Sequence, residues 1–235
     1  RHWAKNGYTL VLASNASESI KARGERRRTT GEIAGLYVDS VLYGLGTGAW
    51  LSILLDLDNT AGLILPSLAF GAGSTSLVYL LDKPKFGYGV ARSISTGLRV
   101  GLLEGAAWVI WNESHDGDGL DSRVNASIIW ASTTIGMVGG GLLGHWLGAT
   151  PGAASMVESG SLWSALMSGL LTFGALGDLT DASGFFLAGA IGLNLGAVGA
   201  GLVAAYSQPS AARVRYIDLG GLSGGVLFGG LFLAI

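Results

Sequence analysis

Seven apolar blocks, each set off from the next by charged or turn-forming residues, restrict this chain more than any other feature. They cover approximately 33–55, 61–81, 94–111, 124–147, 157–177, 184–206 and 217–235. As helix, about 20 residues cross the roughly 30 Å hydrocarbon layer of a bilayer. The third and seventh blocks are the shortest, and the third carries Arg99 and Glu104 within it. The predicted fold class is all-α: a polytopic membrane bundle of about seven glycine-rich helices. Charged residues make up only 13% of the chain, against about 25% in ordinary soluble domains. A glycine-rich soluble domain with buried helices is the main rival. An outer-membrane barrel needs strands of about ten residues alternating apolar and polar. GLYVDSVLYGLGTGAW does not alternate cleanly, and the blocks are about twice strand length.

Charge position argues against the soluble rival. Basic clusters stand at KARGERRR (Lys21 to Arg28), at Lys83, Lys85 and Arg92, and at Arg213 and Arg215. Acidic clusters stand at Asp56 and Asp58, at Glu113, Asp116, Asp118 and Asp121, and at Asp178 and Asp181. If all seven blocks cross, basic and acidic clusters fall on opposite sides, as the positive-inside rule expects, with a cytoplasmic N-terminal arm. A soluble core has no reason to sort charge in this way. The expected location is integral membrane, in a bacterial inner membrane. The net charge of −2 argues against a basic nucleic-acid face. With no cysteine, disulfides, thiolate nucleophiles and sulfur metal sites are excluded.

Four segments align by eye: VDSVLYGLGTGAW from Val38, ISTGLRVGLLEGAAW from Ile94, VESGSLWSALMSGLL from Val157 and IDLGGLSGGVLFGGL from Ile217. The first three are each followed by a turn and a second apolar helix. The implied unit is a helical hairpin of roughly 60 residues, slightly longer than most repeats. The expected organisation is a polar, basic arm over 1–30, then a membrane domain over 31–235. That domain comprises hairpins at about 31–82, 90–148 and 155–207 and a final single helix at about 216–235. An opening RHWAKN without Met points to a processed chain or to part of a larger one.

The 40 glycines need a compensating role, since glycine weakens a helix. Many recur every four residues, on one helix face. Gly136, Gly140, Gly144 and Gly148 form one ladder; Gly97, Gly101 and Gly105 form a second; Gly221, Gly225 and Gly229 form a third. Gly44 with Gly48, and Gly192 with Gly196, follow the same habit. In lipid, helices associate through close backbone approach at small residues, so these positions are read as helix-packing sites.

Asp39, Arg99, Glu104, Glu158 and Asp218 are the ionisable residues within or at the edge of the blocks. Such groups at membrane depth face a partner, a cavity or the bundle interior. Glu158 and Asp218 are expected at helix starts, where a carboxylate also favours the helix dipole. Arg99 requires a carboxylate from another helix, with Asp39 and Glu158 the leading candidates. The loop NESHDGDGLD places Asn112, Ser114, Asp116 and Asp118 at calcium-loop spacing, but Arg123 stands where the bidentate Glu belongs. It is therefore read as a solvated loop, with no metal and no cofactor expected. HExxH and GxxxxGK[ST] are absent from the sequence, so no enzyme is expected. The leading reading is a structural membrane subunit or anchor, partnered by lipid and by other membrane subunits or copies of itself. A channel or transporter with an intramembrane polar path is the alternative, with Pro66 and Asn194 as the candidate polar breaks.

Overall fold

The computed structural model describes residues 29–82, 86–115, 119–176 and 182–233. Among these residues there are seven α-helices and no strand. They are α1 (Thr30–Leu54), α2 (Thr60–Leu81), α3 (Val90–His115), α4 (Ser122–Trp146), α5 (Pro151–Leu176), α6 (Ser183–Ser207) and α7 (Ala211–Leu233). The basic arm at Lys21 to Arg28, together with Lys83, Lys85, Asp116, Asp118, Asp178 and Asp181, lies outside the described residues.

Local chemistry sets most of the helix starts. Thr29 opens α1 with a capping box: its hydroxyl accepts from the Glu32 amide at 3.3 Å, and the Glu32 carboxylate accepts from the Thr29 amide at 3.0 Å. Asn59 caps α2 through the Gly62 amide at 2.7 Å, and Asp121 caps α4 through the Arg123 amide at 2.7 Å. Pro151 is the first residue of α5, where a missing N–H costs nothing, and Thr150 accepts from the Ala153 amide. Ser210 accepts from Arg213 at the start of α7.

These starts correct two expectations. Glu158 and Asp218 do not begin their helices; they lie two turns inside α5 and α7, because those helices start at Pro151 and Ala211. The third helix is not short: α3 has 26 residues, since Arg92 and Glu113 are helical and do not mark its ends.

Consecutive helices pair as hairpins α1/α2, α3/α4 and α5/α6, which form the tightest contacts. The odd-numbered helices also touch in chain order, α1 to α3, α3 to α5 and α5 to α7. In addition α1 packs on α4, and α3 packs on α6. Helix α3 is therefore the centre, with neighbours α1, α4, α5 and α6.

Among the described residues three helices, α2, α4 and α6, are long and apolar enough to cross a membrane. The charges of α1, α3 and α5 turn towards one another. Burial is inverted relative to a water-soluble domain. The largest fully buried side chains are Ser52, Ser95 and Ser161. Leucines such as Leu65, Leu80, Leu147, Leu171 and Leu195 are exposed.

Candidate functional site

At the centre of the bundle a charged cluster joins three helices. Arg99 of α3 donates through Nη2 to both carboxylate oxygens of Asp39 on α1, each at 3.1 Å, and through Nη1 to Glu158 Oε1 on α5 at 2.8 Å. Arg92, two turns earlier on α3, reaches Glu158 Oε2 at 2.7 Å and Ser155 Oγ at 3.1 Å. Thr96 donates to the Ala154 carbonyl and lies within hydrogen-bond reach of Glu158, both at 3.2 Å. Two guanidiniums thus meet two carboxylates, and the cluster is neutral when all four are ionised. The Asp39 side chain is 5% exposed and that of Arg99 36%. Arg92, Arg99 and Thr96 share α3 at spacings of three, four and seven, which places them on neighbouring lines of one face.

Glu104 takes no part in this cluster. It accepts from Trp108 Nε1 at 2.7 Å and from Asn194 Nδ2 of α6 at 2.9 Å. Asp218 of α7 accepts from Trp163 Nε1 of α5 at 3.0 Å and from the Ser159 hydroxyl. No arginine or lysine bridges either carboxylate among the described residues. Ser95, which occupies the place held by Asp39, Glu158 and Asp218 in the other aligned segments, is buried with no hydrogen-bond partner for its hydroxyl.

The hairpin seams are built differently. Between α3 and α4, Gly97 and Gly101 oppose Gly136, Gly140, Ser132 and Thr133, and Gly105 opposes Ile129. A Cβ added to Gly140 would stand 2.9 Å from the Gly97 Cα, closer than real side chains approach. Gly144 meets the Ser93 side chain. Between α1 and α2, Gly44 lies on Phe70 and Gly71, and Gly48 lies on Pro66 and Ser67. Between α5 and α6, Gly192 and Gly196 lie on Ser164, Ser168 and Gly160. Gly221 meets the Trp163 ring of α5.

Other ladder positions have different surroundings. Gly148 lies beyond the end of α4, with φ +59° and nothing within 4 Å of an added Cβ, so it serves the turn and not the ladder. Gly225 faces open space. The surroundings of Gly229 lie outside the described residues.

The seam between α1 and α4 is aromatic at one end and open at the other. Trp50 and Trp130 stack at 4.2 Å with planes 6° apart, Trp50 donates to Ser127 Oγ, and Trp130 donates to Thr47 Oγ1. Towards the other end lies a cavity of about 510 Å³, bordered by Leu36, Leu81, Val90, Ile94 and His145. Its lining is mostly apolar and includes none of Asp39, Arg99 or Glu158.

Two of the four residues at calcium-loop spacing are helical. Asn112 and Ser114 belong to the last turn of α3, where the Ser114 hydroxyl donates to the Ile110 carbonyl at 2.7 Å. Asp116 and Asp118 lie outside the described residues. Among the described residues no three His, Asp or Glu side chains converge to hold a metal.

Sequence reasoning singled out Asp39, Arg99 and Glu158 but missed Arg92, whose position at the margin of an apolar block disguised it as a loop charge. It also missed Ser93, Ser164 and Ser168 as the counterparts of the glycines, although serine is as compatible with close helix approach as glycine. Comparison with protein-family models, with curated proteins and with solved structures finds no match, so residues and geometry alone carry the functional reading.

Proposed function

We propose that this chain is a structural integral-membrane subunit or anchor, a seven-span bundle of glycine-zipper hairpin repeats that works within a larger assembly. The observation that carries this is the inverted burial: serines and paired charges inside, leucines outside. In water such an apolar exterior favours aggregation, whereas in hydrocarbon it is the compatible surface and buried polar groups find partners within the bundle. The contacts fit the repeat reading. In each of the first two hairpins, the first helix packs on both helices of the hairpin that follows, α1 on α3 and α4, α3 on α5 and α6. With seven crossings, the loops after α1, α3 and α5 lie on one side. The N-terminal arm and the loops after α2, α4 and α6 lie on the cytoplasmic side, in a bacterial inner membrane.

A channel or transporter is the second reading, favoured by one observation: the Arg99 side chain in the charged cluster is 36% exposed. Against it, Pro66 and Asn194 interrupt no helix, since α2 and α6 run through them unbroken. The 510 Å³ cavity is also mostly apolar and separate from the charges. The test is reconstitution of the purified chain into potassium-loaded vesicles. The structural reading expects the protein to resist an alkaline carbonate wash while the vesicles hold their gradient as well as empty ones. A leak that changes selectivity in Arg99→Leu would establish the channel instead.

A further inference from the structure

Resting on the membrane reading above, we propose that the seam of α3 and α6 around Glu104 is a docking face for a partner helix that carries an arginine or lysine at mid-depth. Glu104 and Asn194 each stand near the middle of their helices, and α6 is one of the three described helices apolar enough to cross a membrane. The two neighbours of Glu104 are both N–H donors, Trp108 Nε1 and Asn194 Nδ2. Asn194 Nδ2 also donates to the Ala190 carbonyl at 3.0 Å, which fixes the amide with its nitrogen towards Glu104, since the reversed amide would set oxygen against oxygen. Two donors and no acceptor suit a carboxylate.

That carboxylate has no counter-charge within the chain's described residues. The other helices packed on α3 supply few charged groups: Glu32 and Asp39 on α1, Arg123 on α4 with His145 near its end, Glu158 on α5 and none on α6. Arg92 and Arg99 are engaged by Glu158 and Asp39, and Arg123 by Asp56. A metal ion would require several oxygen ligands, whereas the groups on Glu104 offer N–H. With no unengaged arginine or lysine on the described helices packed around α3, the chemistry that fits is a basic side chain from a separate helix. Charge complementarity therefore names the occupant, as it does for Asp39 and Glu158, each of which meets a guanidinium from another helix. The surroundings suit an apolar helix: Ile191 and Val198 share the face of Asn194 and are 51% and 65% exposed, and Trp108 is 38% exposed.

The experiment places the full chain in phosphatidylcholine vesicles with a synthetic single-span leucine–alanine helix bearing one central arginine, association being read by energy transfer. The arginine helix should associate with the native chain and bind at least about tenfold more weakly to Glu104→Gln. Glu104→Lys should prefer a probe with central glutamate, which keeps the test decisive if the first variant folds poorly. Equal binding of a leucine-centred probe, or arginine-probe binding unchanged in Glu104→Gln, would overturn the proposal. Release of the chain by the carbonate wash would instead overturn the membrane reading beneath it.

Discussion

The α3/α4 seam and the α1–α3–α5 junction hold the same helix to its neighbours by opposite means. In the seam, glycine backbones touch with almost no side chain between them. At the junction, the partners are charges placed by long side chains that span between helices. The seam gives close contact over several turns and leaves no room for error. The junction gives few contacts, each requiring a particular partner at a particular depth. In a bilayer, where lipid tails compete equally for apolar surface, neither could be replaced by plain leucine packing. The comparison teaches that hairpins form by shape, and that their arrangement is chosen by charge.

The seam should be the less forgiving region. Gly97→Leu or Gly140→Leu drives a side chain into backbone that cannot yield, and should destabilise by about 3 kcal/mol, read as a lowered unfolding midpoint in detergent. Unchanged melting of both variants would remove the packing argument.

At the junction the effect depends on what is left behind. Arg99→Leu strands Asp39 and leaves Glu158 with Arg92 alone. Loss of one partner from a buried pair costs about 3–5 kcal/mol; with Arg99 36% exposed, about 2 kcal/mol is expected. Asp39→Leu combined with Arg99→Leu removes both ends of one pair while Glu158 keeps Arg92, so the double variant should be more stable than Arg99→Leu alone. A double variant no better than the single would mean that charge pairing does not arrange the hairpins.

The aromatic end of the α1/α4 seam is a third and weaker device. Trp50→Ala loses the stack on Trp130, worth about 0.5–1.5 kcal/mol, and should loosen the first hairpin from the second without unfolding either, measurable as faster proteolysis at the joint. The smallest effect belongs to Gly225→Leu, where an added side chain enters open space; melting should change by less than about 0.5 kcal/mol.

The all-α architecture was legible in the residues because long apolar blocks are hard to misread, although among the described residues only α2, α4 and α6 prove apolar enough to cross a membrane. The partners of Arg99 were legible for a similar reason: a guanidinium among apolar residues needs a carboxylate, and few were on offer. The errors share a cause. Charge was read as a helix boundary, which shortened α3 at Arg92 and placed Glu158 and Asp218 at helix starts, whereas tertiary partners hold those charges inside their helices. Four-residue spacing was likewise carried past the end of α4 to Gly148, because periodicity continues in sequence where the helix has stopped. Nothing in the spacing revealed that Asn194 faces Glu104, a contact made by two helices far apart in the chain.

The central claim is that these helices cross a bilayer with alternate loops on opposite sides. Because the chain has no cysteine, single cysteines can be placed cleanly at Asp58, between α1 and α2, and at Gln208, between α6 and α7. In sealed vesicles of one orientation, a membrane-impermeant maleimide should label one of the two from outside and the other only after the vesicles are opened. Labelling of Asp58→Cys and Gln208→Cys from the same side would contradict the seven-span bundle.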